Sequence, residues 1–342
     1  MSELIDASPS GLWCERGSFH IDPSSPVPCA VITHAHGDHA TPGHGEVHFL
    51  ARGEGVLRQR IDLGETCTRF VPHAPGEVFE LGSVRVSLHP AGHVLGSAQV
   101  RVEAPSGEVW VMSGDYKRAA DPTCAAFEPV PCDVFVTEST FALPIYRFPA
   151  PDAVLGELIA WWRANAEAGR ASLLYCYALG KAQRILAELS DRLPEATTVY
   201  AHGAHISLTE RYAEAGVSML PLAPVDPKAK TKKTEWAGRL VLAPPSVRRS
   251  PWVRRFGDHQ TAFASGWMMV RGTRRGRGLN RGFALSDHAD WAAILKTVEQ
   301  TGARRVFCTH GHGRTLARFL REERGIDARP METEFRGEAG SE

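Results

Sequence analysis

The segment Thr33-His34-Ala35-His36-Gly37-Asp38-His39 sets four side chains able to hold a metal within six positions, in the pattern H-x-H-x-D-H. An apolar run, Ala30-Val31-Ile32, precedes it and reads as a strand. A strand ending in a tight loop presents His34 and His36 on one side and turns Asp38 and His39 toward a neighbouring point. One metal there leaves its fourth position to water, as catalytic zinc sites do. Four donors divided between two points suit a dinuclear site instead. Imidazole with carboxylate suits zinc, and also manganese or iron. A chain with 15 histidines can gather some on a surface loop by accident; the donors that recur downstream weigh against that.

Those donors stand at the ends of expected strands or just after them. His93 lies in Pro90-Ala91-Gly92-His93-Val94, and Asp115 in Met112-Ser113-Gly114-Asp115-Tyr116. Glu138 closes the run from Cys132, His288 sits in Leu285-Ser286-Asp287-His288-Ala289-Asp290, and His310 in Cys308-Thr309-His310-Gly311-His312. Singly, a Gly-His or Gly-Asp is ordinary turn chemistry. As an ordered set they are specific.

The elements that must position them change character along the chain. Val84–Leu88, Ala98–Val102, Glu108–Met112 and Cys132–Glu138 show strand alternation or β-branched enrichment between Gly and Pro. After Pro144–Pro151 a helix is expected with Asp152 as its cap, then a strand over Ser172–Cys176 and a helix over Lys181–Ser190. Such alternation implies a small α/β domain with a parallel sheet. From Phe283 the first character returns, with helices near Asp290–Glu299 and Arg314–Arg324 around a strand at Arg304–Cys308. The tail after Arg336 is rich in Gly and Glu and reads as frayed. The pattern is one domain, an insertion, and a return.

The chain has 342 residues, 43% of them hydrophobic and 23% charged, which is the composition of an ordinary globular protein. No apolar stretch is long enough to span a bilayer, and the N-terminus lacks the basic-then-apolar order of a secretory signal. The seven cysteines include no C-x-x-C pair; they read as reduced thiols of a cytoplasmic protein. Lys and Arg balance Asp and Glu at 39 each, yet from Lys228 to Arg281 fourteen basic residues face two acids, Glu235 and Asp258. A concentrated basic stretch is the electrostatic footprint of a polyanion, and also of a plain solvated face.

These motifs resemble the metallo-β-lactamase fold, and within it the β-CASP nucleases, which process RNA or repair DNA. The similarity runs from about Phe19 to Phe319. It includes Tyr177-Ala178-Leu179-Gly180-Lys181-Ala182-Gln183, which is similar to the opening of the inserted domain in the pre-mRNA 3′-end cleavage nucleases. The compact length resembles the bacterial DNA ligase-associated exonucleases. The resemblance implies an α/β chain built as a metallo-β-lactamase αββα sandwich with an inserted β-CASP α/β domain. Its parts would be residues 1–145, an insertion at 146–270, and a return segment at 271–342. It implies two divalent ions, zinc or manganese. His34, His36 and His93 would hold the first, and Asp38, His39 and His310 the second, with Asp115 bridging. Asp22 would orient the cluster from behind. Glu138 would hold His288 as a general acid. In that chemistry a metal-activated water attacks the phosphate, and a His near its natural pKa protonates the leaving oxygen; Asp38, Asp115, Glu138 and His288 would carry the catalysis.

The substrate is divided in the sequence. A His at position 310 is commoner in the RNA enzymes of this family, whereas the ligase-associated group points to single-stranded DNA and to repair. A DNA ligase and a helicase are the partners that resemblance implies. A non-catalytic nucleic-acid-binding scaffold is the third reading, and it requires lost donors. Arg271, Arg274, Arg275, Arg277 and Arg281 lead toward His288 and are expected to meet backbone phosphates, with Lys181 at the start of its helix. Trp252 and Trp267 could stack on bases or pack in the core. Attack from the 5′ end is the family lean, and no residue encodes it.

Overall fold

Apolar side chains at every second position turn into paired strands over the first 146 residues. The computed structural model describes residues 3–61, 69–226, 232–270, 272 and 278–331, which divide into two compact units, 1–146 with 288–341 and 147–287. In the first unit, β1 (Asp6–Ser8), β2 (Gly11–Cys14), β3 (Phe19–Ile21), β4 (Cys29–Val31) and β5 (Glu46–Leu50) pair in sequence order, and after α1 (Glu54–Ile61) the sheet is completed by β6 (Arg69–His73). A second sheet begins with β7 (Val78–Leu81), β8 (Val84–Pro90), β9 (Ala98–Glu103), β10 (Val109–Met112) and β11 (Val134–Glu138).

Strand pleating explains the core. Val84, Val86 and Leu88, Val100 and Val102, Trp110 and Met112, and Val134 and Val136 all fall in one apolar cluster with Leu12, Phe19, Ile21, Val31 and Leu50 of the first sheet. Val111 and Phe135, one position out of phase, point to a different cluster. Each fully buried Val or Leu of this kind contributes roughly 1.5–3 kcal/mol.

The second unit opens with α2 (Pro151–Glu167). Asp152 is not its cap: Ala150 holds that position with Pro151 at the first helical site, where a missing N–H costs nothing. Asp152 instead lies in the first turn and pairs with Arg192. There follow β12 (Ala171–Tyr175), α3 (Lys181–Ser190), β13 (Val199–Ala201), α4 (Gly203–Glu214), β14 (Leu222–Pro224), β15 (Leu240–Ala243), β16 (His259–Ala264) and β17 (Arg281–Phe283). All six strands are parallel, in the order β14-β13-β15-β12-β16-β17. Residues 171–175 are buried throughout, as a parallel strand covered on both faces requires. Because β17 joins this sheet, the second boundary falls after Asp287 and not at residue 270.

The chain then returns as α5 (Trp291–Thr301), β18 (Arg305–Thr309), α6 (Gly313–Arg324) and β19 (Asp327–Pro330). The side chain of Asp290 caps α5 by accepting the N–H of Ala293. β18 pairs in parallel with β11 and β19 with β18, which extends the second sheet to seven strands. Ile294, Val298, Leu316 and Leu320 cover the Val111–Phe135 face. Among the described residues no helix is long and apolar enough to cross a membrane.

The six described cysteines form no disulfide. Burial pushes Cys29 up to about 11 and Cys132 and Cys308 up to about 12, so these thiols stay protonated and unreactive.

Two cations are buried at the start of α3. Lys181 and Arg184 are 2% and 1% exposed, and both reach Asp287 Oδ1, at 2.8 and 3.0 Å. Lys181 Nζ also donates to the carbonyl of Leu285 and Arg184 Nη1 to that of Ser286, each at 2.6 Å. Removing Asp287 would leave buried charge uncompensated. Asp287→Ala is therefore expected to destabilise the second unit by about 3–5 kcal/mol, read as a lower denaturation midpoint; a change under about 0.5 kcal/mol, typical of surface sites, would contradict this.

Burial also lowers His205 from 6.5 to about 4. The unfolded chain binds this proton more readily, so stability is complete above about 6.5 and is lost as pH falls toward 4. The loss from this one group reaches at most about 3 kcal/mol. His205→Gln should flatten the fall in melting temperature across that window; an unchanged slope would remove His205 from the account.

Candidate metal centre

The donors collect because strand ends collect. β10, β11 and β18 run parallel, so the residues at or just beyond their ends, Asp115, Glu138 and His310, emerge at one edge of the second sheet. β8 is antiparallel to β9, as β10 is, and delivers His93 in the loop after Pro90 to the same edge. The loop after β4 brings His34, His36, Asp38 and His39 from the first sheet. Close approach of the two sheets depends on Gly114, at φ +54°: a Cβ there would stand 2.8 Å from that of Thr33.

His34 Nε2 and His93 Nε2 stand 3.0 and 3.1 Å from His36 Nδ1. Asp115 Oδ2 lies 3.5 Å from His34 Nε2 and 3.8 Å from His93 Nε2. One donor atom from each of His34, His36, His93 and Asp115 falls within 4.8 Å of every other. Three converging imidazoles and a carboxylate, nearly all removed from water, fit a divalent ion of the zinc type. The second expected set is built around the same carboxylate. His39 Nε2 is 3.4 Å from Asp115 Oδ2 and 3.9 Å from Asp38 Oδ2, and His310 Nδ1 is 4.0 Å from Asp115 Oδ1.

Asp22 stands behind this second set. It takes the Thr33 N–H at 2.7 Å and the Thr33 hydroxyl at 2.6 Å, and its Oδ2 lies 2.8 Å from His39 Nδ1. With Nδ1 committed to Asp22, His39 turns Nε2 toward Asp115; this is how a carboxylate fixes a ligating imidazole. The Thr33 hydroxyl also lies 3.0 Å from His34 Nδ1, so Thr33 adjoins His34 directly and is linked to His39 through Asp22.

Charge separates the two faces. Burial holds His34 well below its ordinary value, with His39 adding to the effect. Burial pushes His39 the same way, but Asp115 and Asp22 outweigh it and hold His39 well above. Burial raises Asp115, and the neighbouring imidazoles of His39, His288 and His34 reverse this and hold it well below. His310, within reach of the same carboxylate, is pushed down to about 4 by burial.

Glu138 and His288 form a separate pair. Glu138 is 1% exposed; its two oxygens lie 3.1 and 2.9 Å from His288 Nδ1. The Tyr116 N–H and the Thr140 hydroxyl also donate to the carboxyl, at 2.8 and 2.6 Å. Burial raises the Glu138 pKa, while His288 opposes that rise. The His288 ring centroid is 4.7 Å from that of His93, and one donor atom from each of Asp115, Glu138 and His288 lies within 4.8 Å of the others.

The expected nucleic-acid contacts are not gathered in this way. Lys181 is a correction: its ammonium is buried against Asp287 and Leu285, so it is not presented to a phosphate. Arg271, Arg274, Arg275 and Arg277 lie outside the described residues. Arg281 is described, pairing with Glu157 at 2.8 Å. Trp252 is half-buried against Phe256 at 4.8 Å, and Trp267 is half-buried beside Tyr175 and Phe263; both are packing residues. Sequence reasoning did not assign Thr33 or Thr140, although both adjoin the motifs it used.

No protein-family model matches the chain. The chain is 32% identical over 323 residues, 93% of its length, to a protein of Opitutus terrae named "Probable DNA ligase", of which it spans 30%. It is 29% identical over 133 residues to "Endoribonuclease YSH1" of Eremothecium gossypii, and 26% identical over 136 residues to an "RNase J-like protein" of Methanocaldococcus jannaschii. Each of those two matches covers 38% of this chain, and 17% and 32% of the relative. The chain thus spans a third or less of the length of these relatives. A solved structure of a protein of unknown function from Enterococcus faecalis V583 shares the fold, with TM-score 0.50 and 13% identity over 82% of this chain and 74% of that one. These relatives support the resemblance to the β-CASP nucleases.

Asp22→Ala is expected to weaken metal binding about 10- to 100-fold, because His39 loses the partner that fixes its orientation. Competition of metal-stripped protein with a chromophoric chelator would read this; unchanged affinity would deny Asp22 that task.

Proposed function

We propose that this chain is a metal-dependent phosphodiesterase that degrades single-stranded DNA from an end, the 5′ end by preference, in DNA repair. We place it on a metallo-β-lactamase αββα sandwich carrying an inserted β-CASP domain. The observation that carries the reading is the convergence of His34, His36 and His93 on Asp115, with the His288–Glu138 pair alongside. His34, His36 and His93 would hold one ion and Asp38, His39 and His310 the other, with Asp115 serving both sets. Zinc is the ion proposed, with manganese the alternative. Two bound divalent ions supply a nucleophile at neutral pH and neutralise charge gathering on the phosphate oxygens.

The chain's own residues do the rest. Glu138 fixes the His288 ring through Nδ1, so Nε2 is the atom from which the departing oxygen takes its proton. Thr140 and the Tyr116 N–H hold Glu138 in place for that task. The burial of the donors excludes bulk water and strengthens each of these interactions.

The preference for DNA rests on similarity along 93% of the chain to a protein named a probable DNA ligase. An RNA-processing nuclease is the second reading, favoured by the shorter likeness to an endoribonuclease and by the histidine at 310. A scaffold without catalysis would have lost donors, and the sequence keeps a histidine or carboxylate at each proposed position. A ligase and a helicase are proposed as partners.

Matched single-stranded DNA and RNA, labelled at either end and given to metal-stripped protein with zinc or manganese, tests the reading. Mononucleotides released from DNA at one end are expected, and preferential cutting of RNA would move the chain to the second reading. Asp38→Ala and Asp115→Ala should abolish hydrolysis with binding retained. His288→Ala should slow turnover about 10²–10⁴-fold at unchanged metal content; a drop in metal content would remove its assignment as an acid.

A further inference from the structure

One hydroxyl joins the loop that carries Glu138 to the loop that carries His310. Ser139 is fully buried, and its Oγ donates to two successive carbonyls, those of Thr309 and His310, the latter at 2.7 Å. A hydroxyl has one proton to give, so the two carbonyls share it. The carbonyl of Ser139 in turn accepts the His312 N–H at 2.8 Å. Ser139 therefore grips the 309–312 turn through both its side chain and its backbone.

That turn is held in a sparsely populated conformation. His310 has φ +57°, in the left-handed region that a residue with a side chain enters only when its surroundings hold it there. Gly311 follows at φ +49°, and a Cβ on it would stand 2.5 Å from the Ser139 carbonyl oxygen and 2.6 Å from Thr140 Cα. The two loops meet backbone to backbone at that point, with no room for another atom.

We infer that Ser139 is a positioning residue: its hydroxyl holds the His310 backbone in the left-handed conformation that keeps the imidazole beside Asp115. The inference rests on the reading of His310 as a ligand of the second ion. Glu138 immediately precedes Ser139, so the same short stretch, Glu138-Ser139-Thr140, orients both the proposed acid and a proposed metal ligand.

Zinc titration of metal-stripped protein against a chromophoric chelator resolves the ions separately. Wild type is expected to bind two. In Ser139→Ala one of them should weaken about 10- to 100-fold, the range seen when a ligand loses its orienting partner, while the other keeps its affinity. Ser139→Thr, which retains the hydroxyl, should recover much of the loss. Thr140→Ala, which touches Glu138 and not His310, should keep both ions. If Ser139→Ala does not fold, Ser139→Cys, similar in size with a weak donor, is read in its place against the same expectation. Equal weakening of both ions, or of neither, overturns the inference and leaves the metal centre standing. Failure of the wild type to bind two ions overturns the reading of the centre, and this inference with it.

Discussion

The structure turns on a carboxylate removed from water. Asp115 is 4% exposed, and an ionised group so placed is tolerable only if positive charge and hydrogen-bond donors surround it. His34, His39 and His93 stand within 3.8 Å of it, and Asp115 together with Asp22 holds the His39 pKa well above its ordinary value against the pull of burial. Much of the first unit serves this arrangement. Parallel strands end at one edge, Gly114 lets two loops meet, and Thr33 carries Asp22 against His39.

The second unit interrupts the first in the chain. The chain leaves after Tyr146 and is back at His288, and within the first unit the Trp291 N–H donates to the Tyr146 carbonyl at 3.3 Å. Departure and return are thus neighbours, which is what allows a whole parallel sheet to stand between Glu138 and the histidine that it orients. The last residues of the second unit, Leu285 to Asp287, are held by Lys181 and Arg184, so the motif that follows β12 and the motif that follows β17 are in direct contact.

Much of this was legible in the chain. Alternation and β-branched runs located β8 to β11: β8 alternates where one face is partly exposed, while β11, buried throughout, shows as a near-continuous apolar run. Lys181–Ser190 was readable to the residue, with Gly180 before it and apolar side chains at helical spacing. The cap of α2 was not: Asp152 has the right chemistry, but Pro151 already suits the first helical position and moves the start one residue back. The limit of the second unit was also misplaced, since a three-residue strand, Arg281–Phe283, has too short a pattern to announce which sheet it joins.

The sequence by itself determined the identity and order of the candidate donors, since histidine and aspartate recurring after apolar runs form an ordered set that single turn residues do not. It could not decide which of them come within ligand distance of one another, or that Lys181 is inward-facing while its position at a helix start suggests a phosphate contact. Those outcomes depend on distances of 3 to 4 Å between residues up to 195 positions apart, as between Asp115 and His310. Only the closing of two sheets on one core sets such distances, because donors so far apart in the chain meet only when the strands that end beside them are packed together.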